Sequence, residues 1–426
     1  MMPLSSIPSS FQPSSEKIFD DSKKVLIVGG GLAGLALANV LKYQGVPYKV
    51  FERDPSPGNR TQGYSLSIHF CLPALKSGMD PVKYATLGET AAVDRGHPRR
   101  ADLGLVDGNS GERVVTIPAD SNSDVFRVSR ERFRGWLLEG IDVAWSKRID
   151  YYTVDEEGRS VQVTFTDGTV EQGSILVGAD GINSQVCRQL IGAEDFDKTT
   201  ITTDAIRILN GSYWIDTDLR REIEQTLSPS HILSAASSSE DAEHSTCLFV
   251  SLLDIDRTRD KPYEMLWSIS CIDENEPSYE SNHERLRQAK SWVHKAGFQG
   301  LLRRLVLESP EDTRVVPLQI KERSPHIKLD TLPAGPVILV GDAVHKMTQF
   351  RGEGANHAIQ DSALLGLKLA SVYKGEKTLE EAYDKYYKEM LPRGRKAVAE
   401  SHQAVHMMHG SRAFISAVAM AADFKK

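Results

Sequence analysis

The chain has 426 residues, enough for two domains or for one large domain with an insertion. Its hydrophobic share of 40% and charged share of 26% are those of an ordinary globular protein. A net charge of −7 gives no reason to expect nucleic acid or an anionic membrane as a partner. No apolar run approaches the ~18 residues that a membrane span needs. The sequence therefore predicts no transmembrane segment and a cytoplasmic location.

Metal and disulfide chemistry are both disfavoured by the sequence. The four cysteines are scattered and include no Cys-x-x-Cys pair, which indicates free thiols in a reducing compartment. His402, His406 and His409 share one predicted helix at a spacing that could bind a metal, but no carboxylate completes the set. A polar helix face is the favoured interpretation, so no metal site is predicted. Residues 1–22, rich in serine and proline, predict a disordered leader.

The strongest pattern follows this leader. Val25–Val28 is a short apolar run typical of a buried parallel strand, and Gly29, Gly31 and Gly34 after it fit G-x-G-x-x-G. The first glycine permits a tight turn, the second lets a pyrophosphate approach the backbone, and the third lets the next helix pack closely. Leu32 begins that helix, whose N-terminal N–H groups would face the phosphates.

A second strand ends where an acidic residue is expected. Glu52 stands eighteen residues after Gly34, placed to bind a ribose hydroxyl, and Arg53 follows it. Strand, helix, second strand and acid in register predict a dinucleotide site, in preference to a simple glycine-rich turn. Ala33, in the first helical turn, belongs to the same predicted site.

Further elements are predicted in chain order. A glycine turn at Gly63 precedes a strand that ends near His69, and residues 101–117 predict a hairpin. The segment Phe126–Ser129 leads into a helix with Arg130 in its first turn. Residues 149–177 predict an antiparallel meander of three strands, which runs into Asp180-Gly181.

The second half of the chain changes character. Residues 200–330 predict an α+β block without another phosphate loop, with strands and helices near Ile206–Ile215, Cys247–Leu253, Met265–Ile272, His283–Ala296 and Gly300–Leu307. Pro336–Val340 predicts a further buried strand that ends in Gly341-Asp342. A long helix over Ala355–Tyr373 and two more helices complete the prediction.

Three segments thus stand at strand-to-helix junctions: Gly29–Gly34, Gly178–Ser184 and Gly341–Asn356. With Arg130, they resemble the group A flavoprotein monooxygenases, which have the p-hydroxybenzoate hydroxylase fold. The resemblance covers about residues 24–375. It implies an α/β protein with a Rossmann-like FAD-binding domain, an inserted α+β substrate domain and C-terminal helices.

The resemblance also implies domain boundaries. The discontinuous FAD-binding domain would comprise residues 23–95, 120–200 and 331–375. The substrate domain would comprise residues 96–119 and 201–330, and the C-terminal helices residues 376–426.

Cofactor roles follow from the same resemblance. The Gly29–Gly34 loop and Glu52 would bind the ADP half of FAD, and Arg130 would contact the cofactor. Asp180-Gly181 would serve both FAD and NAD(P)H, and Asp342 would bind the ribityl chain. Gly354, Ala355 and Asn356 would lie beside the pyrimidine edge of the flavin, where helix N-terminal N–H groups favour negative charge.

The implied activity is that of an NAD(P)H-consuming monooxygenase. NAD(P)H would reduce FAD, O2 would add to give a C4a-hydroperoxyflavin, and one oxygen atom would pass to a mid-sized, largely apolar aromatic or polycyclic small molecule of secondary metabolism. Candidate pocket residues are His69, Arg207 and Tyr213, although a core histidine and exposed sheet positions are equally compatible with the sequence.

Two departures from the family pattern leave alternatives open. Lys346 and Gln349 stand where the family usually has prolines, and the second proline lies near the site of peroxide formation. A redox-neutral cyclase or isomerase that keeps FAD as a scaffold is one alternative, and a non-enzymatic escort protein is another. Hydroxylation, epoxidation and Baeyer–Villiger insertion, the choice between NADH and NADPH, and the oligomeric state remain open.

Overall fold

The computed structural model describes residues 23–59, 63–99, 101–118, 125–238, 243–273, 280–323, 335–411 and 413. The leader predicted at residues 1–22 lies outside them, as does most of the chain after Gly410. Strands and helices alternate in the N-terminal part, and long strands dominate the middle. The predicted α/β fold is confirmed.

The strands, numbered along the chain, are β1 (Val25–Val28), β2 (Tyr48–Phe51), β3 (Ser65–Ile68), β4 (Leu103–Asp107), β5 (Arg113–Ile117), β6 (Phe126–Ser129), β7 (Val143–Ala144), β8 (Ile149–Val154), β9 (Val161–Phe165), β10 (Val170–Gly173), β11 (Ile175–Gly178), β12 (Thr200–Ile215), β13 (His231–Ala236), β14 (Thr246–Ile255), β15 (Tyr263–Ile272), β16 (Val315–Arg323) and β17 (Val337–Leu339).

The helices are α1 (Leu32–Tyr43), α2 (Leu72–Gly78), α3 (Pro81–Ala85), α4 (Leu87–Ala91), α5 (Arg130–Leu138), α6 (Gln185–Ile191), α7 (Ala193–Thr199), α8 (Thr217–Thr226), α9 (Asn282–Lys295), α10 (Gly300–Leu307), α11 (Asp342–His345), α12 (Gly354–Tyr373) and α13 (Leu379–His409). A short 3-10 turn spans Gln349–Arg351.

A parallel sheet forms the N-terminal half of the fold, in the strand order β17-β11-β1-β2-β7. Residues Val25–Val28 are at most 3% exposed, which confirms the buried strand predicted from their unbroken apolar run. Because β1 is central, the loop that follows it lies between the ends of its two neighbours. The predicted β1–α1–β2 unit is therefore confirmed, and α1 begins at Leu32 as expected.

The predicted meander needs one correction. Strands β8, β9 and β10 form an antiparallel sheet, but the third predicted strand is in fact two strands separated at Ser174. The first of them, β10, ends at Gly173, where a side chain would collide with the Lys24 carbonyl oxygen at 2.5 Å. The second, β11, leaves the meander and pairs in parallel with β1.

A seven-stranded sheet forms the other half, in the order β16-β12-β15-β14-β13-β4-β5. It contains the predicted hairpin β4–β5 and the predicted strands β12, β14 and β15. Sequence reasoning missed β13 and β16. Helices α9 and α10 pack on one face of this sheet, and the two-stranded ribbon β3–β6 and the end of α13 contact the other.

The C-terminal segment forms one helix as far as it is described. Helix α13 runs through Pro392 and begins with a capping box between Thr378 and Glu381. The second helix predicted after Tyr373 falls on residues that are mostly outside the described ranges. Among the described residues, no helix is long and apolar enough to cross a membrane.

Candidate functional site

Three loops meet at the carboxyl ends of the neighbouring strands β1, β11 and β17. A Cβ atom built on Gly29 would lie 2.2 Å from the Ala179 carbonyl oxygen, so the first loop touches the second. A Cβ atom on Gly341 would lie 3.5 Å from the Ala33 Cβ, so the first loop also touches the third. In open α/β sheets, ligands bind at this edge. The three predicted motifs therefore form one site.

The glycines of the first loop differ in whether the protein itself leaves room for a side chain. A Cβ atom at Gly34 would lie 1.9 Å from the Gly29 carbonyl oxygen, so no side chain fits there. A Cβ atom at Gly31 meets nothing within 4 Å. Gly31 also starts α1 without a side-chain cap, which leaves the first N–H groups of the helix unclaimed by capping. This open helix N-terminus suits a pyrophosphate.

The acidic residue predicted to bind a ribose is fixed beside this loop. The Glu52 carboxylate accepts hydrogen bonds from the Gly30 N–H at 2.7 Å and the Asp54 N–H at 3.0 Å. Only 8% of Glu52 is exposed, so its position is set by the backbone of the loop itself. Arg53 follows it and is half-buried.

The predicted arginine lies at the entrance to strand β3. Arg130, the first residue of α5, donates its backbone N–H to the Tyr64 carbonyl at 3.1 Å. Its guanidinium lies 5.3 Å from the centre of the Tyr64 ring. Gly63, the exposed residue before Tyr64, brings the chain into this position. Arg130 and Gly63 are thus held together.

The second loop is shaped by its own aspartate. The Asp180 carboxylate accepts hydrogen bonds from the Ser184 hydroxyl at 2.5 Å and from the Gln185 N–H at 2.8 Å. Burial raises the pKa of Asp180 from its ordinary value. Gly181 adopts φ +79°, a conformation that L side chains rarely take. Asp180 therefore fixes the turn before α6.

The third loop rests on a buried ionic network that sequence reasoning missed. The Asp361 carboxylate, fully buried, accepts the Gly341 N–H at 2.9 Å, His345 Nε2 at 2.6 Å and Arg393 Nη2 at 2.7 Å. Burial acts to raise the pKa of Asp361, but the two cations lower it to about 2. Asp342 follows Gly341 and lies 3.4 Å from the Lys346 ammonium. Asp361 is the only acidic residue of α12, the one signal that could have flagged it.

The start of α12 is tied to strand β3. The Asn356 side chain donates to the Ser67 carbonyl at 2.9 Å and accepts the His69 N–H at 2.8 Å. Asn356 is fully buried, so its side chain serves this contact. Helix α12 has no side-chain cap, and Gly354 and Ala355 form its first turn. The N–H groups at this helix start are therefore free of capping, as a pyrimidine edge would require.

The three predicted pocket residues are separated by the structure. His69 is half-buried next to Asn356, and burial lowers its pKa, so the imidazole is neutral at pH 7. Tyr213 donates its hydroxyl to the Leu305 carbonyl at 2.8 Å, on the sheet face covered by α10. Arg207 donates to the Asp273 carbonyl at 2.9 Å and is paired across the sheet with Cys271, which packs on the same face.

This placement corrects the expectation for Arg207 and Tyr213. Side chains alternate between the two faces of a strand, and both residues have the parity of the helix-covered face. Ile206 and Ile208 have the opposite parity and pack with Phe350 and Val405, on the side of the predicted flavin loops. The residues of β12 on the side of the predicted flavin loops are therefore the even-numbered ones.

The three histidines of α13 have separate partners. His402 Nδ1 contacts Glu322, whereas His409 contacts the Val405 carbonyl at 2.7 Å and the Ser270 hydroxyl at 2.9 Å. Within the described ranges, no cluster of His, Cys, Asp and Glu could hold a metal ion.

Two family profiles match the segments that build this site. A profile described as an FAD binding domain matches residues 310–401, and one described as an NAD(P)-binding Rossmann-like domain matches residues 27–74. The first includes the Gly341 loop and α12. The second includes the loop after β1.

Similar full-length proteins carry the same class name. The FAD-dependent monooxygenase thnD of Trichoderma harzianum is 30% identical over 89% of this chain and 92% of its own length. The FAD-dependent monooxygenase dbaB of Emericella nidulans is 31% identical over 82% and 87%. The chain belongs to the FAD-dependent monooxygenases. It is therefore an FAD enzyme, and the escort-protein alternative is set aside.

Solved structures show the same fold at low identity. Klebsiella pneumoniae HpxO, complexed with FAD and uric acid, superposes with a TM-score of 0.70 at 19% identity and covers 95% of this chain and 94% of its own. Pseudomonas aeruginosa PqsL, in complex with 2-aminobenzoylacetate, superposes with a TM-score of 0.68 at 20% identity, over 95% and 100%.

Proposed function

We propose that this FAD-dependent monooxygenase uses NAD(P)H to reduce its flavin and transfers one atom of O2 to a mid-sized, largely apolar aromatic or polycyclic molecule. The observation that carries the proposal is the junction of the three loops with strand β3. Its two open helix N-termini and the carboxylate of Asp342 are the groups that an FAD molecule requires. The family profiles and the names of the fungal relatives agree with it.

Each loop would bind a different part of the cofactor. The pyrophosphate would lie at the start of α1, and the adenosine ribose would lie near Glu52. The ribityl chain would lie near Asp342, and the pyrimidine edge at the start of α12. When bound, FAD supplies the oxygen chemistry that the family resemblance implies. The protein positions the substrate and excludes water, so a catalytic side chain is not required.

The substrate would lie between the flavin loops and the seven-stranded sheet. We propose that this sheet, with α9 and α10, is the substrate-binding part of the chain. His69, at the end of β3, is the proposed pocket residue that borders the flavin. Because it is neutral at pH 7, it could accept a proton from a substrate hydroxyl.

A spectrum of the purified protein, followed by anaerobic NADPH and then air, tests this proposal. The expected result is absorbance near ~370 and ~450 nm that NADPH bleaches in the presence of an accepted aromatic compound. Air should then restore the spectrum with formation of an oxygenated product. A bound flavin that neither NADH nor NADPH reduces would contradict the proposal. It would favour a redox-neutral catalyst, the alternative that Gln349 at a family proline position suggests.

A further inference from the structure

A groove floor lies on the face of the seven-stranded sheet that is turned toward the flavin loops. Phe249, Ser268 and Asn210 are cross-strand neighbours on β14, β15 and β12, and they share one face. We call these three residues the floor row. All three are half-buried, whereas the adjacent residues Ser251 and Ser270 are 0% and 4% exposed. The floor row is therefore less covered than the rows beside it.

Other parts of the chain contact the sheet on both sides of the floor row. On one side the β3–β6 ribbon touches the sheet, where the Ser65 hydroxyl lies 3.2 Å from the Ser251 hydroxyl. On the other side the end of α13 touches it, where His409 bonds Ser270 at 2.9 Å. Each border is two residues along the strands from the floor row, so the borders lie roughly 14 Å apart. This width admits a fused-ring aromatic molecule.

A buried cation stands at one end of the floor row. The Arg127 guanidinium lies 5.6 Å from the centre of the Phe249 ring and donates to the hydroxyls of Ser65 at 2.8 Å and Ser67 at 3.0 Å. Arg127 is 6% exposed, and its Nε has no hydrogen-bond partner within the described ranges. Among the described residues, no carboxylate lies within salt-bridge distance of it. Burial lowers the pKa of Arg127, since nothing nearby compensates its charge.

An amide oxygen without a partner stands at the other end. Asn210 Oδ1 is buried and has no hydrogen-bond partner in the described part of the chain. Asn210 lies two strands from Phe249, a separation of about 10 Å across the sheet. A buried polar group without a hydrogen-bond partner destabilises the fold. Two such groups at opposite ends of one floor row point to a ligand that satisfies both.

We infer that the floor row is the substrate-recognition site of this enzyme, in which Arg127 binds an ionised oxygen and Asn210 binds a hydroxyl at the far end of a flat, fused-ring aromatic substrate. This inference rests on the proposed function, and it names the substrate class: an acidic phenol, enol or aromatic carboxylate with a second hydroxyl about 10 Å away. Phe249 and Ser268 would lie under the rings. Arg127 and Asn210 are specificity residues here, and neither takes part in the oxygen chemistry.

Arg127 is assigned to the substrate because of where it lies. It contacts the sheet residue Phe249 and the side chains of Ser65 and Ser67, whereas the proposed phosphate position is at the start of α1. The Asn356 side chain, at the start of α12, donates to the Ser67 backbone carbonyl, and Arg127 donates to the Ser67 hydroxyl. Ser67 therefore connects Arg127 to the helix start where the flavin edge is proposed to lie. A substrate oxygen held by Arg127 would therefore place the rings beside the flavin.

The test measures binding by calorimetry to the oxidised, flavin-loaded enzyme, without turnover. The probes are 6-hydroxy-2-naphthoate, its methyl ester, and 2-naphthoate. Arg127→Gln should weaken binding of the hydroxynaphthoate by about 10- to 100-fold and leave the ester unchanged, because only the acid carries a charge. Arg127→Lys should recover part of the loss. Asn210→Leu should remove the preference for hydroxynaphthoate over naphthoate. The matched control is Arg259→Gln, which removes an exposed cation in the turn between β14 and β15, where it lies over the Trp214 ring.

The outcomes separate this inference from the proposed function. Equal weakening of acid and ester by Arg127→Gln, or no binding of any probe to the wild type, would overturn it while flavin reduction by NADPH stays intact. If Arg127→Gln instead weakened FAD or NADPH binding, the guanidinium would belong to a cofactor and the inference would be wrong. Flavin absorbance of each variant shows that the fold is retained.

Discussion

Arg393, on the C-terminal helix α13, donates a hydrogen bond at 2.7 Å to the fully buried carboxylate of Asp361 on α12. The same carboxylate accepts the N–H of Gly341, immediately before the proposed ribityl-binding Asp342. The C-terminal helix therefore reaches the cofactor loop through one carboxylate. Removing Arg393 leaves the buried carboxylate with His345 as its one remaining cation, and removing Asp361 leaves the Gly341 N–H without its acceptor.

Arg393→Met should reduce the free energy of unfolding by about 3 kcal/mol, because the buried Asp361 carboxylate then keeps only one of its two cations. Chemical denaturation with tryptophan fluorescence measures the change. Arg221→Met is the matched control, because Arg221 pairs with the exposed Asp218 and such pairs contribute at most about 1 kcal/mol. Equal decreases in the free energy of unfolding for the two variants would show that the Asp361 network does not stabilise the fold more than an exposed ion pair does.

Gly31→Ala should fold normally but bind FAD roughly tenfold more weakly. Its Cβ meets no protein atom, so the added methyl group can obstruct only a ligand at the start of α1. Gly34→Ala is the contrasting variant, because its Cβ would collide with the Gly29 carbonyl and destabilise the protein itself. Thermal melting separates the two effects, and flavin fluorescence titration measures affinity. Unchanged FAD affinity in Gly31→Ala would remove this loop from the cofactor site.

Asp342→Ala should lose FAD during purification while its unfolding midpoint without cofactor changes little. Asp342 is partly exposed, and its ion pair with Lys346, at 3.4 Å, is a weak one. The ratio of absorbance at ~450 nm to that at ~280 nm reports flavin content. A variant that stays yellow with unaltered flavin affinity would refute the assignment of Asp342.

His409→Gln should flatten the pH dependence of stability between pH 4 and 6.5. Burial lowers the pKa of His409 to about 4, so the unfolded chain binds more protons in this window and stability falls as pH falls. The stabilisation is complete above the ordinary pKa near 6.5 and changes by at most about 1.4 kcal/mol per pH unit. Urea denaturation at pH 5 and 7 measures it. The exposed His406→Gln should retain the wild-type slope, and a wild-type slope in His409→Gln would count against this explanation.

Gln349→Pro should fold and should alter the rate at which air reoxidises the reduced flavin. Gln349 is exposed at the start of the 3-10 turn, and Thr348 before it is already extended, the conformation that proline demands of its predecessor. Stopped-flow absorbance after mixing with oxygen makes the comparison. Superimposable traces for variant and wild type would exclude position 349 from the oxygen reaction.

Local patterns in the sequence predicted the turn after β1 and the start of α1 well. The spacing of Gly29, Gly31 and Gly34 is dictated by one turn and one helix start, so neighbouring residues contain all the information. The direction in which the side chains of β12 point could not be predicted in this way. Period-two alternation shows that Arg207 and Ile208 point oppositely, but only packing against α9 and α13 decides which of them meets the pocket.

Residues that act across the fold could not be found from sequence. Arg127 lies in the short strand β6, whose sequence indicates only that a helix follows it. Asn210 is one polar residue within the long strand β12. Their relation arises from the register of β12, β15 and β14 and from the contact of Arg127, on β6, with Phe249. The contact between Asp361 and Gly341 likewise depends on how α12 packs back on the sheet.

The strand order of the parallel sheet has a consequence for synthesis of the protein. Strand β1 at Val25 pairs with β11 at Ile175, which in turn pairs with β17 at Val337. Until Leu339 has left the ribosome, β11 keeps one open edge, and the third cofactor loop does not yet exist. Contacts of such long sequence separation form slowly, and unpaired strand edges favour aggregation. Flavin binding that needs all three loops can thus begin only after β17 and the loop that follows it have emerged, so recombinant yield should depend on how long the nascent chain is protected until then.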